Sequence, residues 1–281
     1  MAPTKRKLVD DALDLDDLSE ESLLATLRGR FDNRRVYTYV GPIVVALNPY
    51  AWRTDIYTDK AAAAYRGAPL GKLPPHLFAV AEAAHERMIA ASHRQCIVIS
   101  GESGSGKTEA TRILVRYLVG RSAEGAESAV SSALQKRVLG ANPLLEAFGN
   151  AKTVRNDNSS RFGKFVVLEF DGVATTVPTG PRAPPTLRGA RIINFLLEKS
   201  RLTAVAPDER NFHILYQLLA AADPAARLPS EVVAALPFGS PRDLRYLAPG
   251  CVHCTRVRAY LFSHSLTTFS LLGAGASMST V

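Results

Sequence analysis

Apolar residues at helical spacing predict the helices of this chain. Leu23, Leu24 and Leu27 follow the segment Ser-Glu-Glu-Ser at 19–22, which is the arrangement of a capped first turn, so a short helix is predicted there. The same periodicity predicts further helices over residues 61–91 with an interruption at 67–75, over 109–119, over 134–148 on either side of Pro143, and over 208–220.

Runs of β-branched and aromatic residues predict strands between these helices. Residues 37–47 end at Asn48 and Pro49, so they are predicted as one strand that leaves into a loop. Residues 95–100 contain an unbroken apolar run, Cys-Ile-Val-Ile, which is typical of a buried parallel strand. Residues 165–170 predict another strand, ended by the turn signal Asp171-Gly172. Strands mixed with helices in this way indicate an α/β fold.

Residues 101–108, named here the phosphate loop, read Gly-x-x-x-x-Gly-Lys-Thr between a predicted strand and a predicted helix. A polyphosphate needs many donors close together, and glycines let backbone N–H groups approach it without Cβ clashes. Lys107 adds a positive charge, and Thr108 offers a hydroxyl to Mg²⁺ at the helix start. ATP and Mg²⁺ are the predicted cofactors, although a Gly-rich structural turn is the alternative. The predicted ligands are Gly101, Glu102, Ser103, Gly104, Ser105, Gly106, Lys107 and Thr108.

A second polar cluster, residues 156–164, precedes the strand predicted at 165–170. By composition alone it is a polar turn. A γ-phosphate site, however, needs a second hydroxyl on the Mg²⁺ side, donors for the equatorial oxygens and a nearby positive charge. Asn156, Ser159, Ser160 and Arg161 are residue types that could supply those parts.

Composition narrows the class of protein without identifying it. The chain is 47% hydrophobic and 21% charged, so a folded domain is expected. Its net charge of +8 favours polyanionic partners, although charged faces are usually just solvated. The start lacks the apolar core of a signal peptide and no stretch is long enough to span a membrane, so an intracellular, soluble chain is expected.

The three cysteines do not form a disulfide framework. Cys96 lies in the apolar run at 95–100 and is predicted in the core. Cys251 and Cys254, with His253 between them, resemble half of a zinc site. No second pair follows, and His264 alone cannot complete four ligands, so zinc is not predicted.

Six segments resemble the myosin motor domain, in the order that the family has them. The similarity around them runs from about Leu18 to Tyr246. The six are residues 37–50 (the lead into the purine-binding loop), 101–109 (the P-loop), 144–149, 150–164 (switch I), 196–201 and 209–219.

This resemblance implies a P-loop NTPase-type mixed sheet flanked by helices, in an incomplete motor domain. It also implies an actin-activated Mg·ATPase of the cytoplasm and cytoskeleton, with ATP, ADP and the actin filament as partners. Nucleic acid is not an expected partner. The charged residues at 1–17 predict a mobile segment, and the resemblance implies a partial motor domain at 18–250 followed by a divergent tail at 251–281.

Residue roles follow from the same resemblance. Lys107 would hold the β- and γ-phosphates, while Thr108 and Ser160 would ligate Mg²⁺. Asn156 and Ser159 would contact phosphate or the lytic water, and Arg161 would pair with a switch II glutamate. Asn48, Pro49 and Tyr57 would border the adenine, although residues 48–57 are one longer than expected, which leaves open which aromatic meets the base.

The chain also departs from the family pattern. A Pro-rich insert at 178–188 replaces a short turn, and it is either a surface loop or sequence foreign to the mature message. The resemblance fades after about Cys251, and no switch II motif is found. Arg161 is therefore expected to lack a carboxylate partner, and the chain to bind ATP but hydrolyse it poorly and not complete a motor cycle. The alternatives are a non-catalytic nucleotide-binding or interaction fragment, and an unrelated small-molecule kinase.

Overall fold

A computed structural model describes residues 8–122, 129–171 and 185–221, together with Leu247. The chain divides into two compact units, Met1–Gln135 with Leu168–Gly189, and Lys136–Val167 with Ala190–Val281. The helices are α1 (Glu20–Asp32), α2 (Asp59–Ala64), α3 (Leu77–Ala91), α4 (Lys107–Ser122), α5 (Ala129–Gly149) and α6 (His213–Ala221). The strands are β1 (Tyr37–Val40), β2 (Ile43–Ala46), β3 (Asn150–Ala151), β4 (Ser159–Ser160), β5 (Gly163–Asp171) and β6 (Thr186–Phe195).

The helices predicted from periodicity form, most of them with bounds close to those expected. The side chain of Ser19 caps α1 by accepting a bond from the Ser22 backbone N–H at 3.3 Å, which confirms the predicted capped turn. Helices α2 and α3 lie on either side of the predicted interruption, and α5 continues through Pro143. Helix periodicity is thus a reliable signal in this chain.

Residues 10–14, predicted as part of a mobile segment, make specific contacts. The Asp10 carboxylate lies 2.8 Å from the guanidinium of Arg30, whose side chain is only 2% exposed. Asp11 caps a short 3-10 helix at Ala12–Asp14 and also accepts a bond from the Gly41 backbone N–H. A buried guanidinium is costly unless it is paired, so Arg30 fixes the chain at Asp10.

The prediction of a single strand over residues 37–47 is wrong, because this segment folds back on itself. Strands β1 and β2 pair antiparallel, with Tyr37 opposite Ala46 and Val40 opposite Ile43. Between them Gly41 has a φ of +57°, a left-handed conformation that only glycine adopts without steric cost. The Gly41-Pro42 pair is the turn signal that marks the hairpin.

The core of the first unit is formed by β1, α3 and α4. Tyr37 and Tyr39 of β1 are buried, and the rings of Phe78 on α3 and Tyr117 on α4 stack with their centroids 4.8 Å apart. His76 caps α3, since its Nδ1 accepts a bond from the Phe78 backbone N–H at 3.0 Å. This packing fixes α4, the helix that follows the phosphate loop, against α3.

The prediction that residues 95–100 form a buried parallel strand is wrong for this structure. These residues connect α3 to the phosphate loop without pairing to any strand in the described part of the chain. Val98 is 83% exposed, and Cys96 is exposed rather than in the core. A parallel strand needs ladder partners, and the described strands pair only two by two, β1 with β2, β3 with β4 and β5 with β6. The larger mixed sheet therefore stays a prediction.

Helix α6 begins at His213, five residues later than the periodicity predicts. Asp208 has a φ of +63°, and Phe212 forms an antiparallel bridge with Ala151 of β3. The Arg210 backbone N–H donates to the Lys152 carbonyl at 3.0 Å. These backbone groups pair with the β3 region and so are not free to continue the helix.

Several predicted features lie outside the described residues. They are the turn at Gly172, most of the Pro-rich insert and the tail at 251–281 with its cysteines and histidines. Residues 186–188, which end the predicted insert, form the start of β6. None of the described helices has the length and apolar character that crossing a membrane requires.

Candidate functional site

The phosphate loop turns tightly ahead of α4. Gly101, Gly104 and Gly106 have φ values of +151°, +81° and +93°, which residues with a Cβ rarely adopt. A Cβ added to Gly101 would lie 2.6 Å from the Ser105 Oγ, so the loop leaves no room for a side chain there. Turns of this kind direct consecutive backbone N–H groups towards anions. The backbone conformation of the loop therefore favours glycine at all three positions.

Lys107 begins α4 and extends its ammonium group over the loop. Its Nζ donates to the carbonyl oxygens of Gly101 and Glu102, at 2.7 Å each. Thr108 is the next residue of the helix and is exposed, so its hydroxyl is open to a ligand. The N-terminus of α4 carries the positive end of the helix dipole. A full charge and a partial charge of the same sign thus lie at one end of the loop.

Asn48 connects the segment after β2 to the phosphate loop. Its Nδ2 donates to the Gly104 carbonyl oxygen at 2.8 Å, and its Oδ1 accepts a bond from the Tyr50 backbone N–H at 2.9 Å. Pro49 lies between Asn48 and Tyr50 in the chain. The structure therefore brings Asn48, which sequence reasoning placed at the adenine, against the loop backbone.

Tyr57, the aromatic residue assigned to the adenine, lies partly in the core of the first unit. Its hydroxyl is 2.5 Å from the Tyr37 hydroxyl, and its ring packs on those of His76 and Phe78. Burial raises the pKa of Tyr57, which keeps its hydroxyl neutral. By contrast, the ring of Tyr50 is 84% exposed, beside Asn48 in the chain. Tyr50 and Trp52, whose side chain is 81% exposed, are thus aromatic residues open to a flat ligand in this segment.

Sequence reasoning missed a buried acid that connects α3 to α4. Glu82 is fully buried, and its carboxylate accepts bonds from the Tyr117 hydroxyl at 2.9 Å and the Gly67 backbone N–H at 2.6 Å. The Arg121 guanidinium of α4 lies 3.3 Å away. Burial, and then the charge of Glu82, raise the pKa of Tyr117. The available signal was the position of Glu82 on the apolar face of α3, four residues after Phe78.

The switch I segment, residues 150–164, lies in the second unit and folds on its own polar groups. The Asn156 side chain accepts a bond from the Asn158 backbone N–H at 3.0 Å and donates to its carbonyl at 3.3 Å. The Asn158 side chain contacts Asn150, Glu146 and His213, at 2.9, 3.2 and 3.1 Å. Amide side chains therefore define the shape of this turn.

The two serines of β4 differ in exposure. Ser159 is 2% exposed, and its Oγ accepts a bond from the Arg161 Nη1 at 3.2 Å. Ser160 pairs with Asn150 across the β3–β4 ladder and is exposed. The hydroxyl assigned to Mg²⁺ is therefore the open one, whereas the hydroxyl assigned to phosphate or water is inside the segment.

The expectation that Arg161 lacks a carboxylate partner is wrong. Its Nε lies 2.6 Å from the Glu198 Oε2, and its backbone carbonyl accepts a bond from the Glu198 N–H at 2.9 Å. Burial raises the pKa of Glu198. Hydrogen bonds from Arg161 and then Arg201 together lower this pKa by more than burial raises it, so the net shift is downward. The partner lies 37 residues along the chain, in a segment that sequence reasoning had not linked to this arginine.

Comparison with known proteins accounts for most of the chain. A model of the myosin head (motor domain) family matches residues 9–262. Similar proteins include a myosin-I heavy chain of Dictyostelium discoideum, which is 41% identical over 94% of this chain and 10% of its own length. An unconventional myosin-IXa of Mus musculus is 45% identical over 80% of this chain and 8% of its own length. A myosin-6 of Arabidopsis thaliana is 44% identical over 85% of this chain and 15% of its own length.

The chain spans only between 8% and 15% of the length of these three relatives. The family match nevertheless covers most of both compact units and includes both the phosphate loop and the switch I segment. The chain belongs to the myosin motor-domain family.

Proposed function

We propose that this chain is the ATP-binding part of an actin-based myosin motor, and that Mg·ATP binds at residues 101–108. The observation that carries the proposal is the geometry of the phosphate loop. Three glycines there have φ values that side chains disfavour, and the Lys107 ammonium lies 2.7 Å from two loop carbonyl oxygens. Backbone N–H groups, one lysine and a helix N-terminus together suit a polyphosphate.

In this proposal the residues of the loop bind and orient the triphosphate. Lys107 holds the β- and γ-phosphates, and the exposed hydroxyls of Thr108 and Ser160 are ligands for Mg²⁺, which prefers oxygen donors. Magnesium, when bound, offsets the negative charge of the phosphates. Thr108 belongs to the first compact unit and Ser160 to the second.

The switch I residues would act at the γ-phosphate end. Asn156 and Ser159 bond to groups within the second unit, so phosphate or the lytic water would have to replace those bonds. Arg161 is paired with Glu198, so a switch II glutamate would have to replace Glu198 as its partner. Asn48, Pro49 and Tyr57 would border the adenine, with the exposed ring of Tyr50 as a second aromatic surface.

Thermal unfolding with and without Mg·ATP tests the binding proposal. A ligand that binds only the folded chain at a hundred times its Kd stabilises by about 3 kcal/mol, which raises the Tm by on the order of 5–10 °C for a chain of this size. Lys107→Ala should remove the shift, because it removes the charge that faces the phosphates. An equal shift in Lys107→Ala would show that the nucleotide binds elsewhere.

Sedimentation with actin filaments tests the motor part of the proposal. Binding to filaments that Mg·ATP weakens would support a cytoskeletal motor. Binding of nucleotide without any filament binding would instead support the alternative, a non-catalytic nucleotide-binding or interaction fragment. The support for actin as partner is the family match over residues 9–262.

A further inference from the structure

One side of α3 carries three potential metal ligands next to each other, named here the α3 cluster. Glu82, His85 and Glu86 are spaced i, i+3 and i+4, which places them on one face of a helix. One ligand atom from each lies within 4.8 Å of those of the other two, and His85 Nδ1 lies 3.7 Å from Glu86 Oε1. A Glu-x-x-His pair on a helix recurs in metal sites, and imidazole with carboxylates is a ligand set that zinc accepts.

The imidazole of His85 distinguishes this cluster from an ordinary pair of acids. Its side chain is only 1% exposed, yet neither ring nitrogen has a hydrogen-bond partner in the described part of the chain. The ring meets Phe170 edge to face instead, with 5.8 Å between the centroids. A buried polar group without a partner is costly. A metal ion bound by the α3 cluster would give one of these nitrogens a partner.

The two carboxylates of the α3 cluster already hold one cation. The Arg121 guanidinium lies 3.3 Å from Glu82 Oε2 and 3.4 Å from Glu86 Oε1. Glu82 is fully buried, whereas the Glu86 side chain is 48% exposed, so the α3 cluster meets solvent at Glu86. The Arg121 side chain is itself partly exposed, so its guanidinium can turn outward. An ion that enters from solvent can therefore take its place.

A zinc ion is small enough for all three side chains to share. With bonds of about 2.0–2.2 Å, two ligands of a tetrahedral ion lie about 3.3 Å apart. The ligand atoms of the α3 cluster lie within 4.8 Å of one another, so the half-exposed Glu86 would close on the ion by about 1 Å. Water would complete the coordination on the solvent side.

We propose that Glu82, His85 and Glu86 form a binding site for Zn²⁺, which enters in exchange for the Arg121 guanidinium. Magnesium is not the expected ion, because it prefers oxygen ligands and keeps several of its waters. The site is separate from the proposed nucleotide site, since Arg121 lies about 21 Å along α4 from Lys107 at 1.5 Å per residue. The inference therefore goes beyond the proposed function and does not depend on it.

Zinc titration against a chromophoric chelator, without nucleotide, tests the site. All variants also carry Cys251→Ser and Cys254→Ser, which remove competing thiols, and this background should bind one Zn²⁺ per chain. Adding His85→Leu should weaken that affinity at least about tenfold, because it removes the nitrogen ligand. His93→Leu is the matched control, since His93 is exposed, and it should change the affinity less than about twofold.

Equal zinc affinity in His85→Leu and His93→Leu would overturn the proposal, as would the absence of zinc binding from the background chain. If His85→Leu fails to fold, Glu86→Gln tests the same site, because a half-exposed side chain contributes little to stability. Glu86→Gln should weaken Zn²⁺ at least about tenfold, and an unchanged affinity would refute the site.

Arg121→Gln tests the exchange between guanidinium and metal. Without the opposing charge of Arg121, Glu82 is a buried acid that lacks a cation, so Zn²⁺ should bind about tenfold more tightly. Zinc should also raise the Tm of Arg121→Gln more than that of the background chain. A zinc affinity in Arg121→Gln that is equal to or weaker than that of the background chain would overturn the exchange. None of these results bears on the binding of Mg·ATP.

Discussion

At the residue scale, Gly101 is the position of the phosphate loop with the least room. Its φ of +151° belongs to a region that is almost restricted to glycine, and a Cβ would meet the Ser105 Oγ at 2.6 Å. Ser105 and its neighbours would have to move to accommodate a side chain. The conformation of this one residue therefore constrains the shape of the phosphate loop.

We predict that Gly101→Ala weakens Mg·ATP binding at least tenfold. The substitution introduces backbone strain of order 1–3 kcal/mol, which the loop can relieve only by opening. Gly120→Ala is the control, because an added Cβ there has no neighbour within 4 Å and alanine favours the helix by about 1 kcal/mol. Calorimetric titration of both variants measures the difference, and equal affinities would contradict the assigned role of Gly101.

Residues of the candidate site were predictable from the sequence where they lie close together along the chain. The glycines, Lys107 and Thr108 stand in one short pattern, so their grouping needs no tertiary information. Glu198 and Glu82 were not predictable in the same way, because their partners Arg161 and Tyr117 lie 37 and 35 residues away. Burial and a long-range ion pair decide what those carboxylates do.

At the scale of elements, the attachment of α4 to α3 decides how firmly the phosphate loop is held. Glu82 on α3 is the only fully buried acid among the described residues, and it bonds to Tyr117 and faces Arg121, both on α4. A buried carboxylate is stable only while its partners remain. Breaking this contact should therefore be costly, although Glu82 lies on α3 and not in the phosphate loop.

We predict that Glu82→Gln lowers the free energy of unfolding by about 3 kcal/mol, the range for removing one charge of a buried ion pair. The amide would lose the charge that faces the Arg121 guanidinium and would offer one acceptor oxygen where the carboxylate offers two, to the Gly67 N–H and to Tyr117. Glu109→Gln is the control on α4, since Glu109 lies 3.7 Å from Arg112 at the surface and such pairs contribute below about 1 kcal/mol. Urea unfolding of both variants checks this, and similar midpoints would refute it.

Helices were more predictable than strands in this chain. A helix satisfies its backbone bonds within itself, so periodicity alone located α1, α3, α4 and α5. A strand depends on a partner elsewhere, which is why residues 95–100 remain unpaired among the described residues despite an apolar pattern. The β1–β2 hairpin was missed for a local reason, the turn at Gly41, which the run of β-branched residues obscured.

At the scale of the whole molecule, buried histidines make stability depend on pH. His76 lies among the rings of Tyr37, Tyr65 and Phe78, and burial lowers its pKa from 6.5 to about 4. The folded chain therefore keeps His76 neutral where the unfolded chain already binds a proton. The contribution of neutral His76 to the free energy of unfolding is fully present above pH 6.5, and it is lost progressively as the pH falls towards 4.

We predict that the free energy of unfolding falls by about 3 kcal/mol between pH 7 and pH 4 because of His76, which is the energy that corresponds to this pKa difference. His76→Asn should flatten that slope, since asparagine can still cap α3 but does not titrate. Chemical unfolding at several pH values gives the slopes. The same slope in His76→Asn as in the parent chain would rule out this assignment.

The central claim is that residues 101–108 bind Mg·ATP, and calorimetric titration with Lys107→Ala as control tests it most directly. The proposal predicts one nucleotide bound per chain and dependence on Mg²⁺. It also predicts loss of the binding heat in Lys107→Ala, because the ammonium group lies over the loop. A folded parent chain that gives no binding heat and is not stabilised by Mg·ATP, or a Lys107→Ala variant that binds as tightly as the parent, would contradict the claim.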